Sequence, residues 1–176
     1  MKKNLYKITL TALFTALTTL ATLVHIPALS ANGYLNIGDT LVLLSSLLLG
    51  PVYGTFAAAV GSALADVVLG YGSFAPFTLI IKGMMAIVFW LITKKIKFFA
   101  QNKKRNFLAY LTGGVLAEIV MIAGYACANV ILYGLAALAS VPSDALQAAA
   151  SLILFVILAK ALDTIKLADK INRFKQ

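Results

Sequence analysis

Long apolar runs, separated by short polar or basic segments, dominate this chain. A helix crossing ~30 Å of hydrocarbon needs about 20 residues. The run from Leu5 to Val24 meets that length, as do runs near 52–69, 76–92, 107–133 and 142–162. A sixth apolar run, Ile37–Leu49, has only 13 residues. The pattern predicts helices at about 5–24, 37–49, 52–69, 76–93, 107–133 and 142–165. No internal repeat, low-complexity tract or soluble domain interrupts them. The expected fold class is therefore an all-α membrane protein, with residues 1–176 forming one transmembrane domain.

Charge decides whether the short run crosses. Most basic residues sit in three places: Lys2, Lys3 and Lys7; Lys94 to Arg105; and Lys166 to Lys175. Each group flanks an apolar run, and basic flanks face the cytoplasm. Two of the groups are at the chain ends, so the number of crossings is even. Five would place the basic tail outside. The short run is thus expected to cross, with Gly50-Pro51 as a tight cytoplasmic turn. The external loops become 25–36, 70–75 and 134–141, none of which holds a Lys or Arg. Both termini are expected in the cytoplasm. The first run follows a basic start, as in a signal peptide, but no small-residue cleavage site leads into a polar domain. It reads as a retained first helix.

Composition narrows the class further. Hydrophobic residues make up 61% of the 176-residue chain and charged residues only 12%. A soluble domain carries about twice that charged fraction, so lipid must be the solvent. The formal net charge of +9 raises nucleic acid as a partner. Its concentration at helix flanks explains it without one. A single cysteine, Cys127, excludes a disulfide scaffold. With one histidine besides, a classical metal cluster is not expected. No Walker A, GxSxG or HExxH pattern occurs. The chain is expected to be neither an enzyme nor an ATPase, and to need no cofactor.

Charges at membrane depth cost roughly 2.5–3.5 kcal/mol on insertion scales. Three need a reason: Asp66, Lys82 and Glu118. By the expected topology they lie at the midplane or in the outer half. Glu118, Tyr125 and Asn129 recur at i, i+7 and i+11, one stripe of helix five. Ser143, Gln147 and Ser151 make a matching stripe on helix six. Polar stripes should face each other or a cavity, not lipid. Two readings stand for them: a ligand site, or internal pairs such as Asp66 with Lys82. The first external loop, His25–Asp39, can act as a lid carrying Asn32, Tyr34 and Asn36. Its plainer reading is a connector, with Asp39 as an N-cap of helix two. Tyr71 and Phe74 of the second loop sit at the expected mouth, as ordinary interfacial aromatics or as platforms for a flat ring. Ala12 and Ala16, four apart on helix one, can admit a close helix neighbour.

Four stretches carry a family resemblance: Gly33-Tyr-Leu-Asn-Ile-Gly-Asp-Thr40, Gly50-Pro-Val-Tyr-Gly54, Gly61-Ser-Ala-Leu-Ala-Asp66 and Ala75-Pro-Phe-Thr-Leu-Ile-Ile-Lys-Gly83. They resemble the substrate-capture (S) subunits of energy-coupling factor (ECF) vitamin transporters. The likeness is close over helices one to four and rests on length and placement for helices five and six. It points to the branch assigned to riboflavin, hydroxymethylpyrimidine or vitamin B6. The resemblance implies six helices, both termini inside, and capture of a water-soluble vitamin near the external face. It implies a binding region of the first loop and helices four to six. It also implies partners: a membrane scaffold subunit and two ATPase subunits. The family's Ala-x-x-x-Ala on helix one docks on the scaffold, and Ala12 and Ala16 match it.

The resulting expectation is an S subunit in a bacterial plasma membrane that binds a small heteroaromatic vitamin. Pyridoxine-type or hydroxymethylpyrimidine-type compounds are favoured over riboflavin, because few large aromatic residues line the expected cavity. The candidate contacts are Asn32, Tyr34, Asn36, Phe74, Lys82, Glu118, Tyr125, Asn129 and Gln147. The alternative is a small stand-alone transporter or channel working as an oligomer.

Overall fold

The computed structural model describes residues 2–27, 34–98 and 103–164. Among these are six α-helices: α1 Lys2–Leu23, α2 Gly38–Leu49, α3 Pro51–Val68, α4 Ala75–Phe98, α5 Lys103–Tyr133 and α6 Val141–Thr164. Five of the helical stretches are long and apolar enough to cross a membrane. The sixth, α2, has 12 residues and measures about 18 Å at 1.5 Å per residue. It does not span the hydrocarbon alone. Two short strands, β1 His25–Pro27 and β2 Tyr34–Asn36, pair antiparallel with His25 opposite Asn36. The expected loop between the first two helices therefore carries a short antiparallel strand pair. The expected loop at 134–141 is largely a 3-10 helix, Leu135–Ser140.

The turn between α2 and α3 follows from its sequence. Gly50 adopts φ 84°, a left-handed conformation that a side chain disfavours. Pro51 then opens α3 at its first position, where a missing N–H costs nothing.

The helix α2 sits centrally, packed against α1, α3, α4 and α6. Its buried serines reach neighbouring backbones rather than lipid. Ser46 Oγ donates to the Ala86 carbonyl at 2.6 Å, and Ser45 Oγ to the Gly54 carbonyl at 3.1 Å. Such hydroxyl contacts join helices where burial of apolar surface cannot. Thr11, Thr15, Thr19 and Thr22 likewise return their hydroxyls to carbonyls four residues earlier on α1. Thr19 also donates to the Gly61 carbonyl at 2.8 Å. At Gly61 a Cβ would lie 2.7 Å from the Thr15 carbonyl oxygen, so α1 and α3 touch backbone to backbone there.

The two halves of the interior differ in chemistry. Toward Lys94, Lys95 and Lys103 it is apolar, built on Phe89, Tyr110 and Phe155. Phe155 meets Phe89 edge-on with centroids 5.1 Å apart, and Tyr110 at 6.1 Å. Toward the hairpin it holds Asp39, Lys82, Gln147, Asn129 and Ser143, all buried. The outer surface is apolar, with Val52, Ile131, Leu135 and Ile153 among its exposed residues. Apolar outside and polar inside is the arrangement lipid selects.

Candidate functional site

The polar half is organised around Asp39. This residue stands in the first turn of α2, where the helix N-terminus favours negative charge. Lys82 of α4 forms an ion pair with Asp39 Oδ1. Gln147 of α6 donates to Asp39 Oδ2 at 2.8 Å. Both oxygens are thus occupied, and the side chain is fully buried. The partner of Lys82 is thus Asp39, a residue expected at the start of helix two. Asp39 does not cap α2: the N-cap is Ile37, which has no side-chain cap bond.

Gln147 carries the network outward. Its Oε1 accepts from the Asn36 backbone N–H at 3.1 Å and from Asn36 Nδ2 at 3.2 Å. Asn36 Oδ1 in turn accepts from the Gly38 N–H at 2.7 Å, satisfying one of the free donors that open α2. Thr40 donates to the Ser151 carbonyl at 3.0 Å. One amide of α6 therefore joins the ion pair to the end of the hairpin.

The α5 stripe faces this network in three tiers. The Tyr125 ring lies under the Lys82 ammonium, 5.1 Å from it, and the Tyr125 hydroxyl meets Thr78 Oγ1 at 3.0 Å. A cation over an aromatic face is attracted by the ring's quadrupole. Asn129 Nδ2 donates to Ser140 Oγ at 2.9 Å, and Ser140 Oγ donates to Asp144 Oδ2 at 3.3 Å. Glu118 is 3% exposed, and neither carboxyl oxygen has a hydrogen-bond partner among the described residues. It lies within electrostatic range of both Asp39 and Lys82. Asn129 Oδ1 is also buried without a partner among them.

The structure brings together Asn36, Lys82, Glu118, Tyr125, Asn129 and Gln147 in one half of the bundle. Phe74 stands apart from the ion pair: it is buried and packs on Tyr133 with centroids 5.8 Å apart. Asn32 and the Tyr34 side chain lie outside the described residues; the Tyr34 backbone forms β2. Sequence reasoning missed Asp39, Thr78, Ser140 and Asp144 as members of the network. For Asp39 the signal was present, since an unaccompanied lysine in the apolar α4 demands a carboxylate. Thr78 and Ser140 carry no such signal.

Ala12 and Ala16 are elsewhere, on the outer surface. With Thr15 of α1 and Tyr53, Phe56 and Leu64 of α3 they line an apolar groove of about 800 Å³. Lys7 lies over the Tyr53 ring at 5.7 Å, near the basic end of that groove.

These features define a multi-pass helical membrane protein with a polar, hydrogen-bonded interior at one end and an apolar lateral groove. The sequence model of the ECF-type riboflavin transporter S component matches residues 2–164, and the chain belongs to that family. An uncharacterized protein of Pyrococcus woesei, described from a gap 3′ region, is 41% identical over 140 residues. That match covers 79% of this chain and 88% of the relative. A solved structure of the S component of a bacterial ECF transporter superposes with a TM-score of 0.66 at 20% identity. It covers 90% of this chain and 96% of that one, so the two share a fold.

Proposed function

We propose that this chain is the substrate-capture subunit of an ATP-driven ECF importer in a bacterial plasma membrane. It takes up a small water-soluble vitamin or vitamin precursor at the external face. Pyridoxine-type or hydroxymethylpyrimidine-type compounds are favoured and riboflavin comes next. The observation that carries this reading is the Asp39–Lys82–Gln147–Asn36 network, which ties three helices to a hairpin at the end of the bundle. That end lacks lysine and arginine at its surface, so the positive-inside rule turns it outward. Both termini and the Lys94–Arg105 segment then face the cytoplasm.

Asn36, Lys82, Glu118, Tyr125, Asn129 and Gln147 form the binding region, and Phe74, with Asn32 and Tyr34 of the first loop, completes the set of candidate contacts. A flat polar solute can stack on Tyr125 and exchange hydrogen bonds with the amides and carboxyls around it. The groove at Ala12 and Ala16 receives the membrane scaffold subunit, and two ATPase subunits supply the energy. Family membership and the small-residue surface support this reading, because small residues let a second helix approach closely in lipid.

The test is calorimetry on purified protein with a panel of B vitamins and precursors, followed by uptake into proteoliposomes. One compound should bind at sub-micromolar affinity. Uptake should require the scaffold and ATPase subunits together with ATP. Accumulation by the chain alone would instead support a stand-alone transporter.

A further inference from the structure

The groove between α1 and α3 has a definite length, an apolar wall and one charged end. Its lining runs from Ile8 to Leu20 on α1 and from Val52 to Leu64 on α3. Each stretch rises about 18 Å at 1.5 Å per residue. Half of a ~30 Å hydrocarbon core is about 15 Å, so the groove is as long as one leaflet is deep. The two helices run the same way, because Tyr53 near the start of α3 meets Lys7 near the start of α1, and Gly61 further on meets Thr15 and Thr18. Lys7 therefore marks the cytoplasmic end. The three threonines of the wall, Thr11, Thr15 and Thr19, spend their single hydroxyl hydrogens on main-chain carbonyls. What remains along the groove is hydrocarbon.

The charge at that end has no counterpart in the protein. The Lys7 ammonium lies over the Tyr53 ring at 5.7 Å, within the ~6 Å at which a ring face attracts a cation. It has no ion-pair partner among the described residues. α1 carries no acidic residue, and α3 carries only Asp66, past Leu64 at the far end of the groove. From this match of length, apolarity and charge we infer that the groove seats one acyl chain of an anionic phospholipid of the cytoplasmic leaflet, with the headgroup phosphate on Lys7. The chain alone gives little preference, since neighbouring lipid is as apolar as the wall. The headgroup decides. A zwitterionic headgroup brings its own ammonium, which Lys7 repels, whereas an anionic one does not. Lys94 and Lys160 lie over Trp90 and Phe107 at 4.5 and 4.4 Å, and neither they nor those rings line this groove. They are the natural comparison, with a cation on a ring but outside the groove. The lipid site requires neither vitamin capture nor scaffold docking, and a scaffold helix entering the groove has to displace the lipid first.

The test is native mass spectrometry of the full chain, delipidated in detergent and titrated with phosphatidylglycerol and phosphatidylcholine of the same acyl chains. One phosphatidylglycerol should be retained per chain, roughly fivefold more tightly than phosphatidylcholine, the scale of one lysine at an anionic surface. Lys7→Gln should bring that ratio close to one, Lys7→Arg should keep it, and Lys94→Gln should leave it unchanged. Ala12→Leu with Ala16→Leu, which fills the groove, should lower retention of both lipids. Equal retention of the two lipids by wild type overturns the inference, as does a ratio that survives Lys7→Gln. A fall with Lys94→Gln as large as with Lys7→Gln would show a diffuse basic surface in place of a site. Retention untouched by the leucine pair would put the lipid elsewhere, and a lipid-free dimer would show that a second copy covers the groove; either also overturns it. None of these outcomes bears on vitamin capture, which calorimetry tests separately.

Discussion

A lysine buried in an apolar helix is tolerated only with a partner, and Lys82 has Asp39. Removing one member of a buried pair strands the other, which costs about 3–5 kcal/mol. Lys82→Met should therefore destabilise the protein by about that amount, read as a large drop in melting temperature in detergent. Asp39→Asn strands the Lys82 ammonium in the same way, because its single carbonyl cannot accept from both Lys82 and Gln147, and should cost a similar amount. The double variant Asp39→Leu, Lys82→Met removes both charges and should recover most of the loss. If the double variant melts as low as the lysine variant, the pair is not what holds these helices. The sequence revealed one half of this pair more readily than the other. Lys82, Glu118, Asn129 and Gln147 stand out because an ionisable or amide group inside a transmembrane run needs a reason. Asp39 had a local explanation at a helix start, and that explanation hid its reach across the bundle.

Among the elements, the hairpin is the one that periodicity could not show. Three-residue strands are too short for alternation to register, and Pro27 cannot donate to the ladder. The hairpin is fixed by tertiary bonds, chiefly Gln147 Oε1 accepting twice from Asn36. The helices, by contrast, were legible from run length, and the turn at Gly50-Pro51 from its residue types. Gln147→Leu breaks both Asn36 contacts and the bond to Asp39. Amide exchange at 34–36 should rise by about one to two orders of magnitude, because each lost bond contributes roughly 0.5–1.5 kcal/mol. Hydrogen-exchange mass spectrometry on the purified protein measures this directly, with unchanged protection being the outcome that contradicts it. The contact of α1 with α3 yields a second expectation. Gly61→Leu inserts a side chain where a Cβ already meets the Thr15 carbonyl at 2.7 Å and Thr18 Cβ at 2.9 Å. Overpacking of this kind costs about 1–3 kcal/mol. Thermal melting should show it, while Gly72→Ala, which meets nothing within 4 Å, should be neutral.

At the scale of the whole molecule, the two faces make separable demands. The polar half of the interior belongs to α2, α4, α5 and α6, and the apolar groove to α1 and α3. Ala12 and Ala16 line the groove and take no part in the network around Asp39. If the groove receives a partner helix, filling it should abolish assembly and spare capture. Ala12→Leu with Ala16→Leu adds bulk to a surface that faces lipid in the free subunit, so the isolated protein should fold and bind its ligand within about twofold of wild type. Residues far apart with no shared partner behave independently in this way. Copurification with the scaffold and ATPase subunits should fall at least tenfold, and ATP-driven uptake with it. A leucine pair that lowers ligand affinity and leaves assembly intact would reverse the assignment of the two faces. Orientation can be tested in the same cells. With Cys127 replaced by serine, a cysteine at Ser73 should react with a membrane-impermeant thiol reagent, and one at Lys95 should not. That result would place the polar half of the interior toward the outside and leave the lateral groove within the bilayer.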